Sequence, residues 1–395
     1  MERLHGGKTS PGVPERGASL FARVAETKIR GDRWVAEHRT VVLAVCLAVM
    51  VLVTAFKYTV FPPNAFFDAN VILSRAASGD LTKMDASYAF AIRAFRPLVT
   101  ATGIVSLVTW NWILLIPGAA IALFLLYKAR PQSLAALFVA LCFAGLLPFY
   151  VFMPGKDFLQ YLMFFPVALV LLYVKKEWQK ALFAAVLVIP CALLFRSYYI
   201  LMIGLIAAFY VFALVYRNRL TVGSRSVCIL ATMLLVMLGF YAVKLIAPGQ
   251  AQRLFTVRTV TNAGLGRDAL SDKVIMDLLP LETSVPGFLG NYLMASVRIA
   301  FPFELLKDPF DLPFVLFQCA ATIHFIRELI RSRRVQARTA VYAVALAFLF
   351  MSFIFEPDFG SWFRHEAAAF PILWLALGMD KKTVRGVNTE APDGV

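Results

Sequence analysis

The chain has 395 residues, of which 60% are hydrophobic and 16% charged, and its mean hydropathy is +0.73. That balance excludes a water-soluble globular protein and predicts an all-α, polytopic integral membrane protein. The formal net charge of +15 is a signal of topology and gives no reason to expect a nucleic-acid partner.

Residues 1–39 are polar and basic and read as a flexible cytoplasmic tail. Residues 40–379 read as the membrane domain and 380–395 as a second cytoplasmic tail. About ten spans are predicted, at roughly 40–61, 100–127, 133–153, 158–174, 181–196, 198–216, 226–247, 312–330, 339–356 and 364–379. The first apolar run is followed by Lys57 and FPP rather than a small-residue cleavage site, so it reads as an uncleaved anchor. Two connections stand out as long outer loops, 62–99 and 248–311. Within the second, VPGFLGNYLMASVRIAF (285–301) reads as an interfacial or re-entrant helix.

Lys and Arg decide the sides. The N-terminal tail, KARP, KKEWQK, RNRLTVGSR, RSRRVQAR with Arg327, and the C-terminal tail hold 24 basic and 10 acidic residues. The alternate loops hold 15 basic and 14 acidic. Both termini are therefore expected in the cytoplasm. Cys46, Cys142, Cys191, Cys228 and Cys319 all lie in apolar runs and read as small buried hydrophobes, with neither a disulfide framework nor metal spacing.

The candidate chemistry lies on the outer side. Three apolar runs (159–174, 181–195 and 367–379) are short for a bilayer. Extending each outward draws in Asp157, Arg196, and Arg364 with His365. The last connection, EPDFGSWFRH, crowds Glu356, Asp358, Arg364 and His365 into one short turn beside hydrocarbon, where ionisable groups are costly. Lys156, Arg196, Arg253, Arg258, Arg267, Arg298 and Arg364 supply outer positive charge suited to phosphate oxygens. Plainer roles stay open: Asp157 as a helix N-cap, Lys156 as a solvated turn residue, and Arg196 as a snorkelling side chain. Tyr198 and Tyr199 fit an aromatic belt as well as a sugar platform. His365 has no His or Cys partners for zinc, but beside carboxylates it suits a general base. The Walker, zinc-protease, nucleophile-elbow and dinucleotide signatures do not occur, so no metal or soluble cofactor is expected.

GKDFLQYLMFFP (155–166), FRSYYILM (195–202) and EPDFGSWFRHEAAAFP (356–371) resemble the Wzy-type and EpsG-like polysaccharide polymerases. The similarity runs from about 40 to 379. It implies polymerisation of polyprenyl-diphosphate-linked repeat units on the outer face of a bacterial cytoplasmic membrane. Flippase and chain-length regulator proteins would be partners, with the lipid bilayer as host. Asp157, His365 and Arg364 would be catalytic. Lys156, Arg196, Tyr198, Tyr199, Arg253, Arg258, Arg298, Glu356 and Asp358 would bind substrate. Whether Asp157 or His365 is the base stays open. A GT-C-type glycosyltransferase is the alternative, because Asp68 in NAFFDAN follows span one, with Asp80 and Asp85 beyond. A transporter of lipid-linked glycans is a third.

Overall fold

The computed structural model describes residues 16–82, 84–216, 285–331 and 338–378, with Leu234, Leu238, Tyr241, Leu245 and Ile275 as single positions. The described part is helical, with no β-sheet. Six helices are long and apolar enough to cross a membrane, namely Arg39–Val60, Leu107–Lys128, Leu134–Val151, Lys156–Tyr173, Glu177–Leu194 and Pro309–Ile330. Tyr199–Leu214 and Thr339–Phe355 are shorter and equally apolar. Their outer sides carry bare apolar residues, such as Leu193 at 77% and Ile116 at 74% exposure. Such a surface is stable only against hydrocarbon. Of the span expected at 226–247 only Leu234, Leu238, Tyr241 and Leu245 are described, each helical, and the rest lies outside the described residues.

The tail differs from the flexible segment expected. Arg16–Glu37 forms helix α1, and Asp32 accepts the Leu134 N–H at 2.8 Å. Arg39–Val60 is α2. The first long loop is not a loop. Phe67–Ser78 (α3) and Ala86–Thr102 (α4) form an antiparallel hairpin. In α3, Ala69, Ile72, Leu73 and Ala76 are buried at helical spacing. Gly79 and Gly103 end the two helices at φ +76° and +68°, which L side chains rarely adopt. Asp85 caps α4 through the Tyr88 N–H at 3.0 Å.

Leu107–Lys128 (α5) therefore starts seven residues later than the span expected from 100. Leu134–Leu146 (α6) continues into a π-helical turn, Leu147–Val151. Lys57 donates at 2.6 Å both to the Pro148 carbonyl in this turn and to Asn111 Oδ1 on α5. Lys156–Tyr173 (α7), Glu177–Leu194 (α8) and Tyr199–Tyr216 (α9) follow as neighbours. Val285–Ala300 (α10) packs on Leu312–Arg331 (α11) and Thr339–Phe355 (α12).

The last connection also differs from the expected turn. Only residues 356–358 are non-helical. Phe359–Ala368 (α13) is a buried helix, capped by Asp358, whose Oδ1 accepts the Ser361 N–H at 2.8 Å. Phe359, Trp362, Phe363 and Ala367 give it a buried face at helical spacing. The chain breaks at Ala369, just before Pro371, and resumes as Phe370–Gly378 (α14). Every residue of α14 is buried, so it forms the centre of the bundle. Among the described cysteines Cys46 and Cys191 are buried, Cys142 and Cys319 half-buried, and all four are free.

The two ends of the bundle differ. At the end bearing the basic loops, side chains close helix termini. Arg338 donates to the Leu375 and Ala376 carbonyls at 3.3 and 3.1 Å, and the Tyr342 hydroxyl donates to Ala376 at 3.3 Å. Trp374 Nε1 donates to the Ala129 carbonyl at 2.7 Å, and Glu177 accepts the Ala340 N–H at 2.9 Å. The opposite end gathers charged side chains onto one another.

Candidate functional site

That gathering joins α3, α7 and α13 with the 356–358 turn. His365 leaves α13 toward Glu356, and its Nδ1 lies 2.7 Å from Glu356 Oε1. A carboxylate there accepts the Nδ1 proton, which leaves the Nε2 lone pair free. Nε2 faces Asp157 Oδ1 at 3.9 Å, beyond hydrogen-bond length. Both atoms are buried and have no hydrogen-bond partner. Both are acceptors, so a hydroxyl that approached them could give its one proton to either, but not to both.

Arg364, one residue earlier on α13, turns to the other side. Its Nη1 donates to Asp68 Oδ2 at 2.6 Å, and its Nε lies 3.4 Å from Asp157 Oδ2. Lys156 Nζ is 3.4 Å from the same Asp68 oxygen and 4.1 Å from the Tyr88 ring centroid. Tyr88 thus stands beside the Lys156–Asp68 pair. Burial pushes the Asp68 carboxyl up, but Arg364 and Lys156 outweigh it and hold it at about 2. The Tyr88 hydroxyl is raised by burial and by the adjacent Asp68.

Arg196, between α8 and α9, acts electrostatically on Glu356 and His365 and donates to the Tyr198 hydroxyl. Tyr198 stacks on Phe355 at 4.5 Å and an interplanar angle of 10°. Tyr199 is buried in the core beside Phe164. Ile275, from the second long loop, reaches this end, where its N–H donates to the Pro357 carbonyl at 2.9 Å.

Of the residues singled out in the sequence, Lys156, Asp157, Arg196, Glu356, Arg364 and His365 therefore come together. Asp358 caps α13. Arg298 lays its guanidinium across Glu304, with Nε 2.9 Å from both oxygens. Arg253, Arg258 and Arg267 lie outside the described residues. Asp68 was visible only as the mark of an alternative chemistry, and Tyr88 carried no signal. Among the described residues, Lys156, Arg196 and Arg364 oppose Asp68, Asp157 and Glu356, with Asp85 near Lys156, around a His365 held by a carboxylate. Among the described residues no group of His, Cys, Asp and Glu has the arrangement of a metal site.

No family model, no curated protein and no solved structure matches the chain.

Proposed function

We propose that the chain is a ten-span protein of a bacterial cytoplasmic membrane, with both termini inside. We propose that it polymerises polyprenyl-diphosphate-linked oligosaccharides on the outer face. The observation that carries this reading is the Glu356–His365 pair, with Nε2 aimed at Asp157 beside the Arg364 guanidinium. A base oriented by a carboxylate, next to fixed positive charge, suits transfer of a glycosyl group to a hydroxyl.

In the reaction, the bond between the anomeric carbon of the growing chain and its diphosphate oxygen breaks. The electron pair leaves with the lipid diphosphate, toward Arg364 and Lys156. The acceptor hydroxyl of a new unit forms the new bond. His365 Nε2 takes its one proton, while Asp157 Oδ1 accepts from a neighbouring hydroxyl of the same sugar and so orients the ring. Glu356 stabilises the imidazolium that results.

The test is deletion of the gene and complementation with variants. Lipid-linked single units should accumulate outside, and long chains should vanish. His365→Gln and Asp157→Asn should fail to restore chains at normal protein level. Polymer of normal length in the deletion strain would sink the reading.

One observation favours a second reading. Asp68, on the first outer hairpin, lies inside the cluster, as the acid of a GT-C-type glycosyltransferase would. Such an enzyme takes a single sugar from a polyprenyl monophosphate. Its loss would leave chain length intact and remove one sugar from each repeat.

A further inference from the structure

The Asp68 carboxylate meets a guanidinium and an ammonium from two helices, and the Tyr88 ring of a third lies against that ammonium. Arg364, Lys156 and Tyr88 form the donor set that a phosphate group would use. We propose that Asp68 is a displaceable counter-ion that occupies the seat of the donor's diphosphate, so that the α3–α4 hairpin is latched while the seat is empty and released when it fills. This rests on the polymerase reading for the identity of the donor but not for the seat itself.

Three observations single out Asp68 among the carboxylates. The first is access. The Asp68 and Arg364 side chains are 27% and 23% exposed, whereas Lys156, Asp157, His365 and Glu356 are between 3% and 9%. The Asp68–Arg364 contact is thus the lip of the cluster, which an incoming anion meets first. The second is charge. Among the described residues the carboxylates are at least as many as the cations, so a bound diphosphate would leave uncompensated negative charge in a half-buried site unless one carboxylate departs. Glu356 is committed to His365, and Asp157 sits in the first turn of α7 beside Lys156. Of these three, Asp68 alone belongs to a separate module. The third is the module. Most of the hairpin's contacts run between its own two helices, with smaller contacts to α5, α7 and α8, and its inner face (Ile72, Ala76, Ile92, Phe95) shares the core of the bundle. The Asp68–Arg364 contact lies at its exposed edge, so it can break while that inner face stays packed. When Asp68 leaves, the seat presents two cations and a phenol, which suits a diphosphate through its charge and its multiple acceptor oxygens.

The experiment uses the full-length protein in nanodiscs of neutral phosphatidylcholine, with inorganic pyrophosphate as probe. Asp68→Asn should bind pyrophosphate about tenfold more tightly than wild type, the size of one charge-assisted contact. Arg364→Ala should bind it at least tenfold more weakly. In wild-type protein, pyrophosphate should raise amide hydrogen exchange in residues 67–102, a readout that needs no variant to fold. Unchanged or weaker pyrophosphate binding in Asp68→Asn overturns the proposal, as does unchanged or slower exchange in the hairpin. Phosphatidylglycerol that competes off pyrophosphate would make the seat a headgroup site and equally overturn it. If pyrophosphate behaves as expected while the deletion strain keeps long chains, the seat stands and the polymerase reading falls.

Discussion

The two ends of the bundle hold similar residues and use them differently. At the basic-loop end, Arg338, Tyr342, His324 and Trp374 all donate to backbone carbonyls, three of them to the last turn of α14. At the other end, His365, Arg364 and Lys156 meet carboxylates, and two facing atoms, His365 Nε2 and Asp157 Oδ1, are left without partners. A helix terminus has orphan carbonyls that must be satisfied, and a side chain that satisfies one has a structural job. Side chains that pair with one another close no terminus. Their burial costs free energy that packing alone does not recover. The contrast separates two arginines that composition cannot tell apart: Arg338, which lies 3.7 Å from Glu328 but also donates to two carbonyls, and Arg364, whose partners are Asp68 and Asp157.

The largest expected effect tests that contrast directly. His365→Gln should lower polymer formation by about 10²–10⁴-fold, the usual share of a general base, with thermal stability close to wild type. Arg338→Ala should do the reverse. Removing a buried guanidinium that holds two carbonyls should cost about 3 kcal/mol of stability. Melting of the purified proteins and polymer yield per folded molecule would check both. If Arg338→Ala abolished turnover at unchanged stability, the contrast between the ends would fail.

A smaller effect tests how tightly the structural end is packed. A Cβ on Gly378 would meet the Ala129 carbonyl and the Trp374 ring. Gly378→Ala should therefore lower stability by about 1–3 kcal/mol. Thermal melting should show the loss, and turnover per folded molecule should persist.

The smallest effect sharpens the electrostatics of the site. Asp68 is held at about 2, below its ordinary 3.8. A depressed carboxyl contributes stability that is fully present above its unfolded value and is lost as pH falls through the folded one. Its contribution is thus constant from pH 5 to pH 6, where its cationic partners stay charged. The difference in melting temperature between wild type and Asp68→Asn should be the same at both. A difference that changed between them would mean that Asp68 is not held by Arg364 and Lys156 as described.

The sequence displayed the long apolar helices openly, because about 20 apolar residues have no other use. It hid the α3–α4 hairpin. There the buried positions Ala69, Ile72, Leu73 and Ala76 are interleaved with Asp68, Ser74 and Arg75, so local hydropathy stays low and the stretch reads as loop. The break at Ala369 was legible in principle, since Pro371 cannot donate to the preceding turn. Much of the site was legible for a related reason: ionisable residues at the ends of short apolar runs have few bland uses. What could not be read was pairing. Nothing in the spacing distinguishes Arg298, which has Glu304 six residues away, from Arg364, whose partner Asp68 is 296 residues distant. Long-range partnership depends on which helices touch, and hydropathy carries no record of that.

Lys57 has a consequence for biogenesis. Its ammonium is buried on α2, yet both of its acceptors arrive later in the chain, Asn111 on α5 and the Pro148 carbonyl in the turn after α6. As the first apolar helix enters the bilayer, that charge has no protein partner. Three residues from the helix end, it can reach the headgroups until the later helices are made. The ammonium then moves from lipid phosphate to protein oxygen as the bundle closes. The first helix is thereby tethered to the third before the cluster around His365 can assemble.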